Sequence, residues 1–213
     1  MSIKTPDDKW NVAQEYELNC WMNECSNSVG DRDEYYIEVF SQYAAIPGGT
    51  YSKTLEIGCG PFTKSRAVSN FAQLQKITLV DPLINKYTEH FGCSYRDKIT
   101  HMVFELIESR GEDFCRPSEY DLGIMINVLM HCQDGDAVID NLIASVKTGG
   151  ILVIGEALHE EGYDGGPGHP LSPTKEWMEG KLDGIEPLYK VFGERKTAKG
   201  EHYQDMSFIG RKK

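Results

Sequence analysis

The sequence predicts an α/β domain: a mostly parallel seven-stranded sheet layered between helices, closed by a C-terminal antiparallel hairpin and preceded by a helical extension. Three observations predict it. Short continuous apolar runs alternate with helix-periodic stretches from residue 54 onward, the signature of parallel strands covered on both faces. The first apolar run passes straight into a glycine turn, Gly58-Cys59-Gly60. After residue 162 the alternation gives way to a Gly/Pro-rich loop, a short helix and two final strands, which makes the sheet mixed.

Each element follows from local chemistry. Trp10, Ala13, Glu17 and Cys20/Trp21 recur at helical spacing, as do Tyr36, Val39, Phe40 and Tyr43 after Gly30-Asp31. Pro47-Gly48-Gly49 breaks the chain, so residues 1–50 read as a helical extension covering a substrate and 51–213 as the α/β domain. Strands are predicted at 54–57, 77–80, 104–108, 122–126 and 151–154. Helices are predicted at 64–74, 84–91, near 96–102, and at 134–146. Asp134 can cap the last of these, and Gly149-Gly150 can end it. Residues 162–173 read as a loop and 174–182 as a short helix. Strands at 188–194 and 203–211, joined through Gly200, form the closing hairpin.

Composition narrows the function. Of 213 residues, 40% are apolar and 26% charged, as in ordinary globular domains, and the net charge is −11. So acidic a surface repels phosphate backbones, which argues against nucleic-acid and anionic-membrane partners. No apolar run is long enough to span a bilayer, and residues 1–10 are polar, so a cytoplasmic location is expected. The six cysteines form no CxxC pair and no zinc pattern. They read as free thiols acting as small core hydrophobes, and no metal is expected.

Three segments carry the chemistry. In Leu55-Glu56-Ile57-Gly58-Cys59-Gly60-Pro61-Phe62 a buried strand ends in an acid, and two glycines turn the chain toward a helix. Side chains at Gly58 and Gly60 would obstruct a ligand lying across the strand's carboxyl end. Asp81, just past the second strand and about twenty residues on, stands where a carboxylate reaches ribose hydroxyls; alone, it reads equally as a turn former before Pro82. Arg110-Gly111-Glu112-Asp113-Phe114 follows the third strand, where polar groups can meet an adenine edge; alone, it reads as a solvated loop.

In this order and spacing, the three segments resemble the class I S-adenosylmethionine-dependent methyltransferases. That family reads acid-x-Gly-x-Gly at the first strand, an acid ending the second, and an acidic loop after the third. The segments Ile126-Asn127-Val128-Leu129-Met130-His131 and Gly149-Gly150-Ile151-Leu152-Val153 are similar to its fourth-strand signature and the turn before its fifth. The resemblance spans residues 54–156. It implies a Rossmann-like three-layer sandwich that binds S-adenosyl-L-methionine and methylates a small molecule. Glu56, Gly58, Cys59 and Gly60 would lie at the methionine moiety and Asp81 and Pro82 at the ribose. Leu83 would lie on the adenine, Gly111, Glu112 and Asp113 at its edge, and Asn127 and Val128 on the floor. Phe62 departs from the family's usual third glycine and would narrow the methionine end or pack beneath the helix.

Methyl transfer asks the protein mainly to position and desolvate, with a general base where the acceptor carries a proton. His131 and His159, past the fourth and fifth strands, are the candidate bases; each also reads plainly, as a packing residue and a solvated loop residue. His169 stands on the 162–173 loop. Trp10, Tyr16 and Trp21 either line the acceptor cavity or belong to the core. Asn127-Val128-Leu129-Met130 differs from the Asn/Asp-Pro-Pro-Tyr/Phe of base and glutamine N-methyltransferases. With that class and nucleic acids set aside, a small organic or sugar-like acceptor remains, and a hydroxyl or carboxylate oxygen is the first expectation; the run Gln14 to Trp21, which resembles the start of some methyltransferases of surface-polysaccharide synthesis, serves only as a tie-breaker. Two alternatives stay open: a nucleotide-dependent oxidoreductase, disfavoured because Thr63 replaces the last glycine of Gly-x-Gly-x-x-Gly, and a non-catalytic cofactor-binding module. The oligomeric state stays open as well.

Overall fold

Seven strands hydrogen-bond into one sheet in the order β3-β2-β1-β4-β5-β7-β6. They are β1 (Thr50–Ile57), β2 (Gln73–Asp81), β3 (Val103–Glu108), β4 (Tyr120–Ile126), β5 (Val146–Leu158), β6 (Ile185–Lys196) and β7 (His202–Lys212). A computed structural model describes residues 3–24, 41–91, 95, 102–160, 163, 165–196 and 202–213. β1 to β5 run parallel, and β7 lies antiparallel between β5 and β6. The helices are α1 (Asp7–Glu24), α2 (Ser65–Val68), α3 (Ile84–Phe91), α4 (Gly135–Ser145) and α5 (Lys175–Lys181). The second N-terminal helix expected over Tyr36 to Phe40, the helix near 96–102, the turn at Gly200, and Cys25 and Cys93 fall outside the described residues.

The sheet divides the core into two layers because successive strand residues face opposite ways. Leu55, Ile57, Met125, Leu152, Ile154, Met206 and Phe208 pack on one face with Val138, Ile139 and Leu142 of α4 and Trp177 and Met178 of α5. Ile124, Ile151, Val153 and Ile209 pack on the other with Leu74, Ile77 and Leu79 of β2 and with Ala67 and Val68 of α2. These are the continuous apolar runs of the sequence, and both-face burial is their physical cause.

Two element expectations need correction. The helix predicted at 64–74 is a single turn: Ser69 and Asn70 end it in successive turns, the Ser69 hydroxyl donates to the Arg66 carbonyl, and β2 already begins at Gln73. The helix predicted to run to residue 146 stops at Ser145, and Gly149-Gly150 falls inside β5 rather than at a helix end. Asp134 does cap α4, accepting from the Ala137 N–H at 3.1 Å. Thr174 caps α5 by accepting from Trp177 N–H.

Residues 3–7 dock across the start of α4. Thr5 N–H donates to the Gln133 carbonyl, Gly135 N–H donates to the Ile3 carbonyl, and Lys4 pairs with Asp134. This seam sets the direction of α1, which lies over the carboxyl ends of the parallel strands. Among the described residues no helix is long and apolar enough to cross a membrane.

Candidate functional site

Strand order reverses at β1: β2 and β3 lie on one side and β4 on the other. A crevice opens over the carboxyl ends at such a point. Here it is a cavity of about 760 Å³, open mouth included, lined by the ends of β1, β2 and β4, the turn after β3, and one face of α1.

The first wall is the glycine turn. Gly58 has φ +69°, and its N–H donates to the Val80 carbonyl at 2.7 Å, tying β1 to β2. A Cβ there would stand 2.4 Å from Val128, so the packing of Val128 itself demands glycine. Gly60 has φ +55°, and a Cβ on it would meet nothing within 4 Å; the space before it is open to a ligand. Glu56 lies behind this turn rather than in the cavity. It is 1% exposed and accepts from the Ser65 hydroxyl at 2.6 Å, from Lys64 N–H at 2.7 Å and from Thr63 and Ser65 as well. Its effect on a ligand passes through the loop shape it imposes. The Cys59 side chain likewise turns into the second core layer.

Asp81 ends β2 and does line the cavity. One carboxylate oxygen accepts from Gly60 N–H at 2.9 Å and the other from Leu83 N–H at 2.8 Å. A carboxylate offers about four acceptor sites, so two are left for a pair of vicinal hydroxyls. Burial lifts its pKa to about 6 against the pull of these N–H donors. Pro82, Leu83 and Tyr87 continue this wall.

The turn after β3 contributes Arg110, Gly111 and Glu112. Glu112 accepts from the N–H groups of Gln133 at 2.7 Å and Asp134 at 3.1 Å, so it fastens this turn to the loop after β4. Asp113 points outward, about half exposed, and pairs with Arg110 at 2.6 Å; it does not line the cavity. An acid beside a glycine does not by itself tell which way the side chain turns.

The floor is the segment after β4. Asn127 takes the left-handed conformation, φ +59°, and its N–H donates to the Gly155 carbonyl at 2.7 Å. Val128 N–H and Leu129 N–H both donate to the fully buried Glu156 carboxylate. Burial pushes the Glu156 pKa to about 8 against these two donors. The segment then carries His131 to the cavity wall. His131 Nδ1 lies 2.9 Å from the Gly168 carbonyl and 3.6 Å from the Glu17 carboxylate. A proton held on Nδ1 by these oxygens leaves Nε2 as the basic nitrogen. His169 meets the His131 ring edge-on at 4.9 Å; burial first and then His131 lower its pKa to about 4. His159 stands apart: its ring stacks on Tyr163 at 4.1 Å, its backbone N–H donates to the Pro173 carbonyl, and it does not line the cavity.

The last wall is α1, through Trp10, Gln14, Glu17 and Trp21, spaced i, i+4, i+7 and i+11 along one face. Arg110 lies over the Trp10 ring at 5.4 Å, Gln14 donates to the His131 carbonyl, and Trp21 packs on Phe62 with centroids 5.3 Å apart. Trp21 also donates to Glu17 at 2.6 Å. Tyr16 lies off this face, half exposed, against Gly168. Lys64 and Tyr87 carry no motif, and Gln14 and Glu17, though within the run Gln14 to Trp21, are not singled out by the sequence as lining residues. The mixed stripe on α1 was the available signal, since two polar residues on an otherwise aromatic face point to something other than plain core. Among the described residues no group of three His, Cys, Asp or Glu could hold a metal ion.

An open pocket before Gly60, an acceptor pair on Asp81 and an apolar slot at Leu83 fit an adenosyl ligand. No family model matches this chain. No curated protein matches it significantly. Solved structures do. The N-methyltransferase NodS from Bradyrhizobium japonicum WM9, in complex with S-adenosyl-L-homocysteine, is 17% identical, with 97% of this chain and 99% of that one covered and a TM-score of 0.65. The [4+2]-cyclase SpnF is 15% identical over 100% and 99%, with a TM-score of 0.70. A SAM-dependent methyltransferase from Leishmania major is 14% identical over 92% and 82%, with a TM-score of 0.66. The chain therefore has the Rossmann-like fold of the class I S-adenosylmethionine-dependent methyltransferases.

Proposed function

We propose that this chain is a methyltransferase that takes its methyl group from S-adenosyl-L-methionine and gives it to a small organic acceptor. The observation that carries the reading is the Asp81 carboxylate, poised at the end of β2 beside the Gly58–Gly60 turn and facing the cavity. Bound there, the cofactor supplies an activated methyl on a sulfonium, and the protein's work is to orient and to exclude water. Asp81 holds the ribose. Leu83 and the Gly111–Glu112 turn enclose the adenine, and Asn127 and Val128 form the floor. The α1 stripe from Trp10 to Trp21 lines the cavity, and this supports reading α1 as a cover over the acceptor. His131 takes the acceptor proton on Nε2 while Glu17 and the Gly168 carbonyl steady Nδ1; His159 has no such placement.

An oxygen acceptor remains the first reading. An amine is the second, because NodS and a Haemonchus contortus phosphoethanolamine methyltransferase are both N-methyltransferases on this fold. The test has two stages. Calorimetry with S-adenosyl-L-homocysteine is expected to give saturable one-site binding, and lack of binding removes the reading. Methyl-labelled cofactor offered with hydroxyl, carboxylate and amine panels then assigns the acceptor. Binding without label transfer to any panel favours a non-methylating role, such as the cyclase on this fold has.

A further inference from the structure

The ring packed behind His131 has no role in the function proposed above. His169 meets the His131 ring edge-on, with centroids 4.9 Å apart and an interplanar angle of 69°. The neighbouring Gly168 carbonyl lies 2.9 Å from His131 Nδ1. The 165–171 loop is fastened in this place. Leu171 N–H donates to the Met130 carbonyl at 3.3 Å, and His169 N–H donates to the Gly166 carbonyl at 3.2 Å across a turn in which Gly166 has φ +79°. A Cβ on Gly165 would stand 2.5 Å from the His169 Cβ, and one on Gly168 would stand 2.8 Å from the Tyr16 ring of α1. Glycine at both positions lets the loop close on His131 and on α1 at once.

An aimed base needs more than a proton placed on its far nitrogen. The Gly168 carbonyl and the Glu17 carboxylate, at 3.6 Å, favour a proton on Nδ1. The χ2 torsion of a histidine is broad, so these oxygens leave the tilt of the ring loose. An edge-on aromatic neighbour restricts that tilt. The neighbour must also stay uncharged, because His131 becomes an imidazolium once Nε2 takes a proton. Burial lowers the His169 pKa to about 4, so near neutrality it adds no like charge, and Glu17 serves as the counter-ion. We propose that His169 is a positioning residue for methyl transfer: its ring, packed edge-on against His131, holds Nε2 toward the acceptor. This rests on the reading of His131 as the base. His169 does not itself line the cavity, so it acts through His131.

The experiment reads two quantities on the full chain. One is the tautomer of His131, from long-range proton–nitrogen spectra of isotope-labelled protein at about pH 8.5, where imidazoles are neutral. The other is kcat with the acceptor that label transfer identifies. The wild type is expected to hold the His131 proton on Nδ1. In His169→Ala both tautomers are expected, and kcat is expected to fall about 10- to 100-fold, with cofactor affinity within about twofold. His169→Phe keeps an aromatic edge without a nitrogen, and is expected to restore the Nδ1–H form and to bring kcat within about threefold of wild type. Retention of either the tautomer or the rate in His169→Ala overturns the proposal. So does a loss that His169→Phe does not rescue, which would mark the His169 nitrogens rather than its ring edge. Should His169→Ala not fold, Gly165→Ala, whose methyl crowds the His169 Cβ, is read in its place by the same criteria. Wild-type protein that binds no S-adenosyl-L-homocysteine, or transfers no label, overturns the cofactor reading itself, an outcome distinct from a tautomer that ignores His169.

Discussion

Asp81 is the residue on which the site turns, and its environment makes a pH-dependent prediction. Burial has raised its pKa to about 6, while ribose hydroxyls would donate to its ionised form. On the proposed ribose contact, ligand binding would favour the deprotonated carboxylate. Affinity for S-adenosyl-L-homocysteine is expected to be constant above pH 7 and to fall below pH 6 by up to about tenfold per unit. Asp81→Asn should lower affinity by about 10- to 100-fold and flatten that dependence, because an amide turns an N–H₂ toward the Gly60 or Leu83 donor. Calorimetric titrations from pH 5 to 8 read both effects. A second residue-scale prediction concerns the base. His131→Ala should lower kcat by about 10²- to 10⁴-fold with cofactor affinity changed only a few-fold, whereas His159→Ala should leave turnover near normal. Comparable losses in both variants would remove His131 from the role.

At the scale of elements, the site depends on how segments are fastened. The 127–131 segment hangs from the end of β5 through Gly155 and Glu156, and the 131–134 loop is held by Glu112. Asp134 joins two such fastenings, capping α4 and pairing with Lys4 at 2.5 Å. Asp134→Ala should destabilise the protein by about 1 kcal/mol in urea unfolding, nearly all of it from the lost cap. The Lys4 side chain is 62% exposed, and so open a pair contributes little. The same comparison shows where sequence patterning succeeds. The strands and α4 were legible because apolar runs and a capping Asp act locally. The 64–74 helix was not, because Phe71, Ala72 and Leu74, whose spacing continues it, serve the turn and β2 instead. His159 was misplaced for a similar reason: a residue just past a strand end can turn to either side, and Tyr163 and Pro173 decide which.

For the whole molecule, buried carboxylates set how stability varies with pH. Glu156, lifted to about 8, and Asp81, lifted to about 6, hold their protons in the folded state above the pH at which the unfolded chain releases them. Their contribution is fully present below about pH 4 and falls as pH rises, through about 6 for Asp81 and about 8 for Glu156, with a limiting slope of about 1.4 kcal/mol per unit for each group. Glu105 works the other way: its hydrogen bonds with Arg116 lower its pKa to about 2, so its contribution is lost as pH falls from about 4.5 to 2. Thermal melts across pH 5 to 9 should decline in the wild type and decline less in Glu156→Gln, which removes the titrating group while keeping an oxygen for Val128 or Leu129. An unchanged slope in that variant would place the pH dependence elsewhere.

The sequence by itself determined the layered sheet, its two-sided burial, the glycine turn and the acid that ends β2, because each is written in neighbouring residues through periodicity, capping and backbone freedom. Only the tertiary structure decided which side chains face the cavity. Glu56 and Asp113 turn away from it, while Lys64, Tyr87 and the α1 stripe face it, since facing depends on packing between segments far apart in the chain. The seam of residues 3–7 on 133–136 is the clearest case: it aims α1 across the strand ends, and contacts that span more than a hundred residues leave no local mark in the sequence.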